Sequence, residues 1–223
     1  MNFDQSFFFK DRRDAGEKLA LALEHYHNED VLVLGIPRGG IETAYYVAKH
    51  LDAELSLVVT RKLGYPLNPE AAFGAIAEDG SIYISDMARQ QITEEEIRSV
   101  LDEQREEIAR RVQKLRGGKP LPTITDRTII LVDDGIATGA TLFATIELCK
   151  KLQPKKIVVA VPIAGRRMDR ILRQMVDEVV ILVTPTYYQS VSQGYEDFSN
   201  LTDDEVLPFL EKREKEINPA DIN

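Results

Sequence analysis

From residue 128 onward, short Val- and Ile-rich runs alternate with stretches of helical spacing, and this alternation constrains the fold more than any other feature of the chain. Thr128 to Val132 reads as a strand, Gly139 to Leu152 as a helix and Lys156 to Pro162 as a strand. Arg166 to Val176 then reads as a helix and Glu178 to Val183 as a strand. Strands joined through helices run parallel, and continuous apolar runs need cover on both faces. The spacing therefore predicts an α/β fold with a central, mainly parallel sheet flanked by helices.

The first half repeats the pattern less cleanly. Arg13 to His25 reads as a helix, Val31 to Ile36 as a buried strand, Gly40 to Leu51 as a helix and Leu55 to Thr60 as a second buried strand. Residues 61–85 are punctuated by Gly and Pro, and FGAIA and SIYIS suit a hairpin around Asp79-Gly80. Thr93 to Arg116 reads as a long charged helix, opened by a Thr93/Glu96 capping box and stopped by Gly117-Gly118. Its thin apolar stripe, on residues 97–115, fits either the margin of a domain or a pairing surface, so a homodimer is one expectation. The 223 residues suit one domain over 1–223: a core of about 9–183, an insertion of about 64–120 and a tail of about 184–223. A last helix is expected after Thr202.

Composition excludes several functions. A net charge of −9 is unsuited to general nucleic-acid binding, although it leaves room for a local basic pocket. Cys149, alone and flanked by Leu148 and Leu152, reads as a buried small hydrophobe rather than a nucleophile. His25, His27 and His50 lack partners at zinc-ligand spacing. No signal peptide and no membrane-length apolar run is recognised, so the expected location is the cytoplasm, with no membrane partner.

Three segments place unusual residues where ligands gather in a parallel sheet, beyond the carboxyl ends of strands. In IILVDDGIATGAT, Asp133 and Asp134 end a strand and Gly135 permits a turn. Ala137, Thr138, Gly139, Ala140 and Thr141 then form a loop of small residues that opens into a helix, where free amides and hydroxyls favour an anion. Acids for sugar hydroxyls followed by an anion cradle is the layout that a ribose 5-phosphate requires. In PRGGI, Gly39 and Gly40 make a second amide-rich turn beside Arg38. In TRKLG, Arg61 and Lys62 set two cations at the expected end of a strand.

VDDGIATGAT resembles the phosphoribosyl-diphosphate (PRPP) signature of the type I phosphoribosyltransferases. With PRGGI, RKLG, FGAIAEDG and VAVPIA, the chain is similar over about residues 9–210 to a group of bacterial predicted phosphoribosyltransferases. The resemblance implies the type I fold with a small hood and flap, and transfer of 5-phosphoribosyl from PRPP to a nitrogenous acceptor such as a nucleobase. Pyrophosphate would leave, and the cofactor would be Mg²⁺, bound through PRPP and near Asp133 and Asp134. It implies catalytic roles for Asp133, Asp134, Arg38 and Lys62, and PRPP contacts from Arg38 to Gly40, Arg61, Lys62, Asp133 to Gly135 and Ala137 to Thr141. The pyrophosphate loop of the family often has an unusual peptide geometry. Ala137 stands where 6-oxopurine enzymes commonly carry an acid, which disfavours that specificity. Tyr187, Tyr188 and Tyr195 are expected in a hood over the acceptor, and residues near Arg116 to Lys119 in the covering loop. The partners expected are small molecules.

Two other readings compete. Some relatives of such enzymes became regulators, so a non-catalytic PRPP- or nucleotide-binding protein is the alternative. A dehydrogenase or kinase is disfavoured, because no GxGxxG follows the first strand and no GxxxxGK[ST] occurs.

Overall fold

A computed structural model describes residues 8–218. Its centre is a five-stranded parallel sheet, ordered β2-β1-β6-β7-β8. These strands are β1 (Val31–Gly35), β2 (Glu54–Leu57), β6 (Thr128–Val132), β7 (Lys156–Ile163) and β8 (Glu178–Val183). Successive side chains leave opposite faces of a strand. Val31, Val33, Ile130, Val132, Val158 and Ala160 accordingly share one core with α1 (Arg12–Ala22) and α2 (Gly39–His50). Leu32, Leu34, Ile129, Leu131, Val159 and Val161 share the other with α4 (Ala140–Lys151) and α5 (Arg166–Leu172). Every residue of β1 and β6 is buried, as strands covered on both faces must be. Cys149 is part of the second core, and burial pushes its thiol up to about 12. No helix among the described residues is long and apolar enough to cross a membrane.

The expected strand Leu55 to Thr60 is in fact split. The chain leaves the central sheet after Leu57 and enters a separate antiparallel sheet of β3 (Thr60–Tyr65), β4 (Asn68–Ala77) and β5 (Ile82–Ile84). Val58 and Val59 are both fully buried, but in different cores, so the apolar run continues across the gap between the sheets and hides it. The β4–β5 hairpin turns at Asp79-Gly80 as its sequence indicates, with Gly80 at φ +84°. Two helices are shorter than their periodicity: α1 gives way to a 3-10 turn at Glu24–Tyr26, and α5 stops at Leu172.

The long helix α3 (Glu94–Arg116) starts with the Thr93/Glu96 capping box and ends on Gly117 at φ +60°. Its stripe is used inside the chain rather than on an open surface. Leu101, Ile108 and Leu115 pack with Leu63, Phe73 and Ile76 of the small sheet and with Val206 of α6 (Asp203–Ile217). Burial of each such leucine is worth roughly 1.5–3 kcal/mol. Arg213 of α6 is buried and donates from Nε to the Ala53 carbonyl at 3.0 Å, which ties the tail to the connection entering β2. Arg116 does not line the space around Asp133 and Asp134. Its guanidinium donates to Glu78 at 2.9 Å and to the Leu57 carbonyl at 3.0 Å.

Candidate active site

The strand β6 ends at Val132, and the chain turns at once. Asp133 accepts a hydrogen bond from the Asp134 amide at 2.9 Å, so the first acid of the pair holds the backbone of the second in the turn. Both acids line a cavity of about 280 Å³ together with residues 135–139, Thr141 and Leu142. The acid pair and the small-residue loop therefore face one space. Gly39 from the loop after β1 also lines it, beside Pro37 and Arg38.

The two glycines of that loop are required by close approach. A Cβ on Gly39 would sit 1.9 Å from a carboxylate oxygen of Asp134, and one on Gly40 would sit 2.8 Å from the Asp133 Cα. The PRGG turn is thus pressed onto the acid pair, which joins two segments that lie far apart in sequence. The Pro37–Arg38 peptide is cis.

Helix starts supply the anion-binding character. The first amides of a helix have no intrahelical acceptor. At α4 the N-cap is Gly139 at φ +76°, and at α2 it is Arg38; neither start has a side-chain cap. Both starts open at the cavity, so their free amides and positive dipole ends converge there.

Asp134 is buried, and Arg12 of α1 pairs with it at 2.8 Å. Arg12 also donates to the Ser199 carbonyl at 2.9 Å and lies over the Phe198 ring at 4.1 Å. Burial drives Asp133 well above the usual carboxylate range, and the charge of Asp134 adds to the rise. Burial also raises Asp134, against the opposing charge and hydrogen bond of Arg12. Two carboxylates held this close resist double ionisation until a ligand or cation compensates.

Several expected residues stand elsewhere than anticipated. Arg61 and Lys62 lie on β3, in the small sheet, not at the end of a central strand. Lys62 still reaches the cavity wall, whereas Arg61 faces an adjoining space. None of the three tyrosines lines the cavity. Tyr195 is buried between Phe9 and Phe198, and its hydroxyl donates to the Asp134 carbonyl at 2.5 Å. It supports the acid pair from behind. Tyr187 is 92% exposed, and the buried hydroxyl of Tyr188 has no partner among the described residues. The tail contributes Val191, Phe198, Asn200 and Leu201 to the cavity instead.

Arg12 was not singled out by sequence reading. One signal was available: Arg12 and Arg13 occupy the first turn of a helix, where the dipole disfavours cations. A cation there needs a reason, and Asp134 is the reason for Arg12. Phe198, Asn200 and Leu201 carry no comparable signal, since their approach depends on where the long connection between β8 and α6, residues 184–202, returns.

Comparison with known proteins identifies the family. A family model described as the phosphoribosyl transferase domain matches residues 11–195. A protein of Mycobacterium tuberculosis, provisionally named a phosphoribosyl transferase in strains H37Rv and CDC 1551, is 40% identical over 214 residues. The match covers 95% of this chain and 48% of that protein, so the chain spans about half the length of the curated relatives it matches. The crystal structure of TT1426 from Thermus thermophilus is 37% identical, with a TM-score of 0.78 over 92% of this chain and 98% of that one. A purine phosphoribosyltransferase of Pyrococcus horikoshii, at a TM-score of 0.44, is too distant to bear on the acceptor.

Proposed function

Because the chain belongs to the phosphoribosyl transferase family, we propose that it transfers the 5-phosphoribosyl group of PRPP to a nitrogenous acceptor, with a nucleobase as the first candidate, and releases pyrophosphate. The observation that supports this reading is the convergence of two acids and an uncapped helix start on one cavity. The 5-phosphate rests on the amides and hydroxyls of Ala137 to Thr141. Asp133 and Asp134 accept the ribose hydroxyls and face the positive charge that develops on the ring as its bond to pyrophosphate breaks. The acceptor nitrogen gives its lone pair to C1 of the ribose as the C1–pyrophosphate bond breaks, and its proton then passes to water or to the departing pyrophosphate. Ala137 has no group that can take that proton.

Arg38 and Lys62, with the Gly39 and Gly40 amides, lie on the leaving-group side and meet the charge of the departing pyrophosphate. The apolar side chains Val191, Phe198 and Leu201, with the amide of Asn200, give the acceptor a planar-ring environment. Among the described residues no group of three or more His, Cys, Asp or Glu could hold a metal ion. A pair of carboxylates suits a Mg²⁺ ion that takes its other ligands from donor oxygens and water. When bound, that ion neutralises charge on the pyrophosphate, and Asp133 and Asp134 are the residues placed to help hold it.

The test is pyrophosphate release from PRPP and Mg²⁺ across a panel of bases and amines that includes adenine. Release with at least one acceptor supports the transferase. PRPP binding without release from any acceptor favours the regulatory alternative, and failure to bind PRPP overturns both.

A further inference from the structure

A second cavity, of about 570 Å³, adjoins the first and shares Pro37, Arg38, Lys62 and Thr141 with it. Its walls carry four cations: Arg38, Arg61 and Lys62, and, from helix α3, Arg111. Glu103 is the one carboxylate among the described lining residues. Arg111 is nearly buried and pairs with Glu107 of its own helix at 2.9 Å, which fixes the direction of its guanidinium and leaves donors over. Arg61 is half-buried, and its Nε donates to the Gln104 side chain of the same helix at 3.0 Å. No carboxylate pairs with it among the described residues.

This crowding is physically costly. Burial and the charges of Arg111, Arg38 and, to the smallest extent, Arg110 lower the pKa of Arg61, with only Glu107 opposing among its main neighbours. A chain of net charge −9 has acids in excess, yet here it gathers four cations and, among the described residues, pairs only Arg111 with a carboxylate. Such an arrangement is favourable when an anion enters it. Guanidinium groups suit phosphate oxygens in particular, because their fork donates two parallel hydrogen bonds. A ligand with one phosphate on the α4 start and further anionic groups in the adjoining chamber must span both cavities, and PRPP has that form.

Resting on the transferase reading above, we infer that Arg111 is a further binding residue for the diphosphate leaving group. It acts as a pair with Arg61, which Gln104 orients, so that helix α3 forms one wall of the pyrophosphate chamber. This assigns a binding role to a helix that lies outside the signature and both anion loops, and whose sequence reads as a long charged helix at a domain margin or a pairing surface.

The experiment is calorimetric titration of the full chain with Mg²⁺ and each of three probes: PRPP, pyrophosphate and ribose 5-phosphate. The variants are Arg111→Gln, Arg111→Lys and, as control, Arg110→Gln. Arg110 shares Glu107 but is 55% exposed and lies outside the chamber. Losing a charged hydrogen-bonding partner should weaken PRPP and pyrophosphate roughly ten- to hundredfold in Arg111→Gln. Ribose 5-phosphate should be unaffected, Arg111→Lys should recover part of the loss, and Arg110→Gln should bind all three as the wild type does. Pyrophosphate affinity unchanged in Arg111→Gln, or ribose 5-phosphate weakened as much as pyrophosphate, would overturn the inference and leave the transferase reading standing. Failure of the wild-type protein to bind PRPP would overturn both.

Discussion

The starts of the longer helices divide into two kinds. Asp11 caps α1, Thr93 caps α3 and Thr202 caps α6, each through a side-chain oxygen that accepts a backbone amide. The starts of α2 and α4, which open on the cavity, have no side-chain cap. A cap is worth about 1 kcal/mol, so its absence at two helices is a stability contribution forgone. The two uncapped starts both lie at the cavity, where amides without a side-chain cap are available to a ligand. The α1 start is capped by Asp11 although Arg12 lines the same cavity, and there the guanidinium serves Asp134. The acid pair extends the contrast, since its burial opposes ionisation in the ligand-free protein.

The largest effect that would sharpen this comparison is on the acids. Asp133→Asn with Asp134→Asn should lower turnover by at least roughly a hundredfold, in line with the loss of a transition-state charge contact; steady-state rates near those of the wild type would break the assignment. Next, Thr141→Val removes a hydroxyl from the α4 start and should weaken ribose 5-phosphate roughly tenfold with little change in unfolding midpoint. Thr93→Ala should do the reverse. It should cost about 1 kcal/mol of stability in denaturant titration and leave ligand affinity as it was. If Thr93→Ala also weakened ligand binding, the two kinds of helix start would not be separable.

The smallest effect concerns pH. A carboxylate whose folded pKa lies above its unfolded value destabilises the fold as pH rises through that interval, because the folded state holds the proton longer. Asp133→Asn removes that penalty while an amide oxygen can still accept from the Asp134 backbone. The variant should therefore melt at a higher temperature than the wild type at pH 7, and the difference should vanish below about pH 4. Asp134→Asn should show no such gain, since it also strands the buried Arg12.

Much of this was legible in the sequence for a physical reason. The central sheet advertises itself because β1, β6 and β7 are buried on both faces, and the signature because a strand, its acids and its loop are contiguous. The break between β2 and β3 was hidden, since Val58 and Val59 are both apolar while serving different cores. The tyrosines misled for the opposite reason. Their chemistry suits a base, but Tyr195 is enclosed by Phe9 and Phe198, and nothing local in the tail announces that Phe9 approaches. Arg12 and Arg111 reach the cavities from helices whose charged faces resemble any solvated surface, so only their tertiary placement distinguishes them.

The most direct test is a crystal structure of the protein soaked with ribose 5-phosphate. The phosphate is predicted over the amides of Ala137 to Thr141, with the ribose hydroxyls on the carboxylates of Asp133 and Asp134. Density for the phosphate elsewhere, or a sugar turned away from both acids, would contradict a common site for the two halves of the signature.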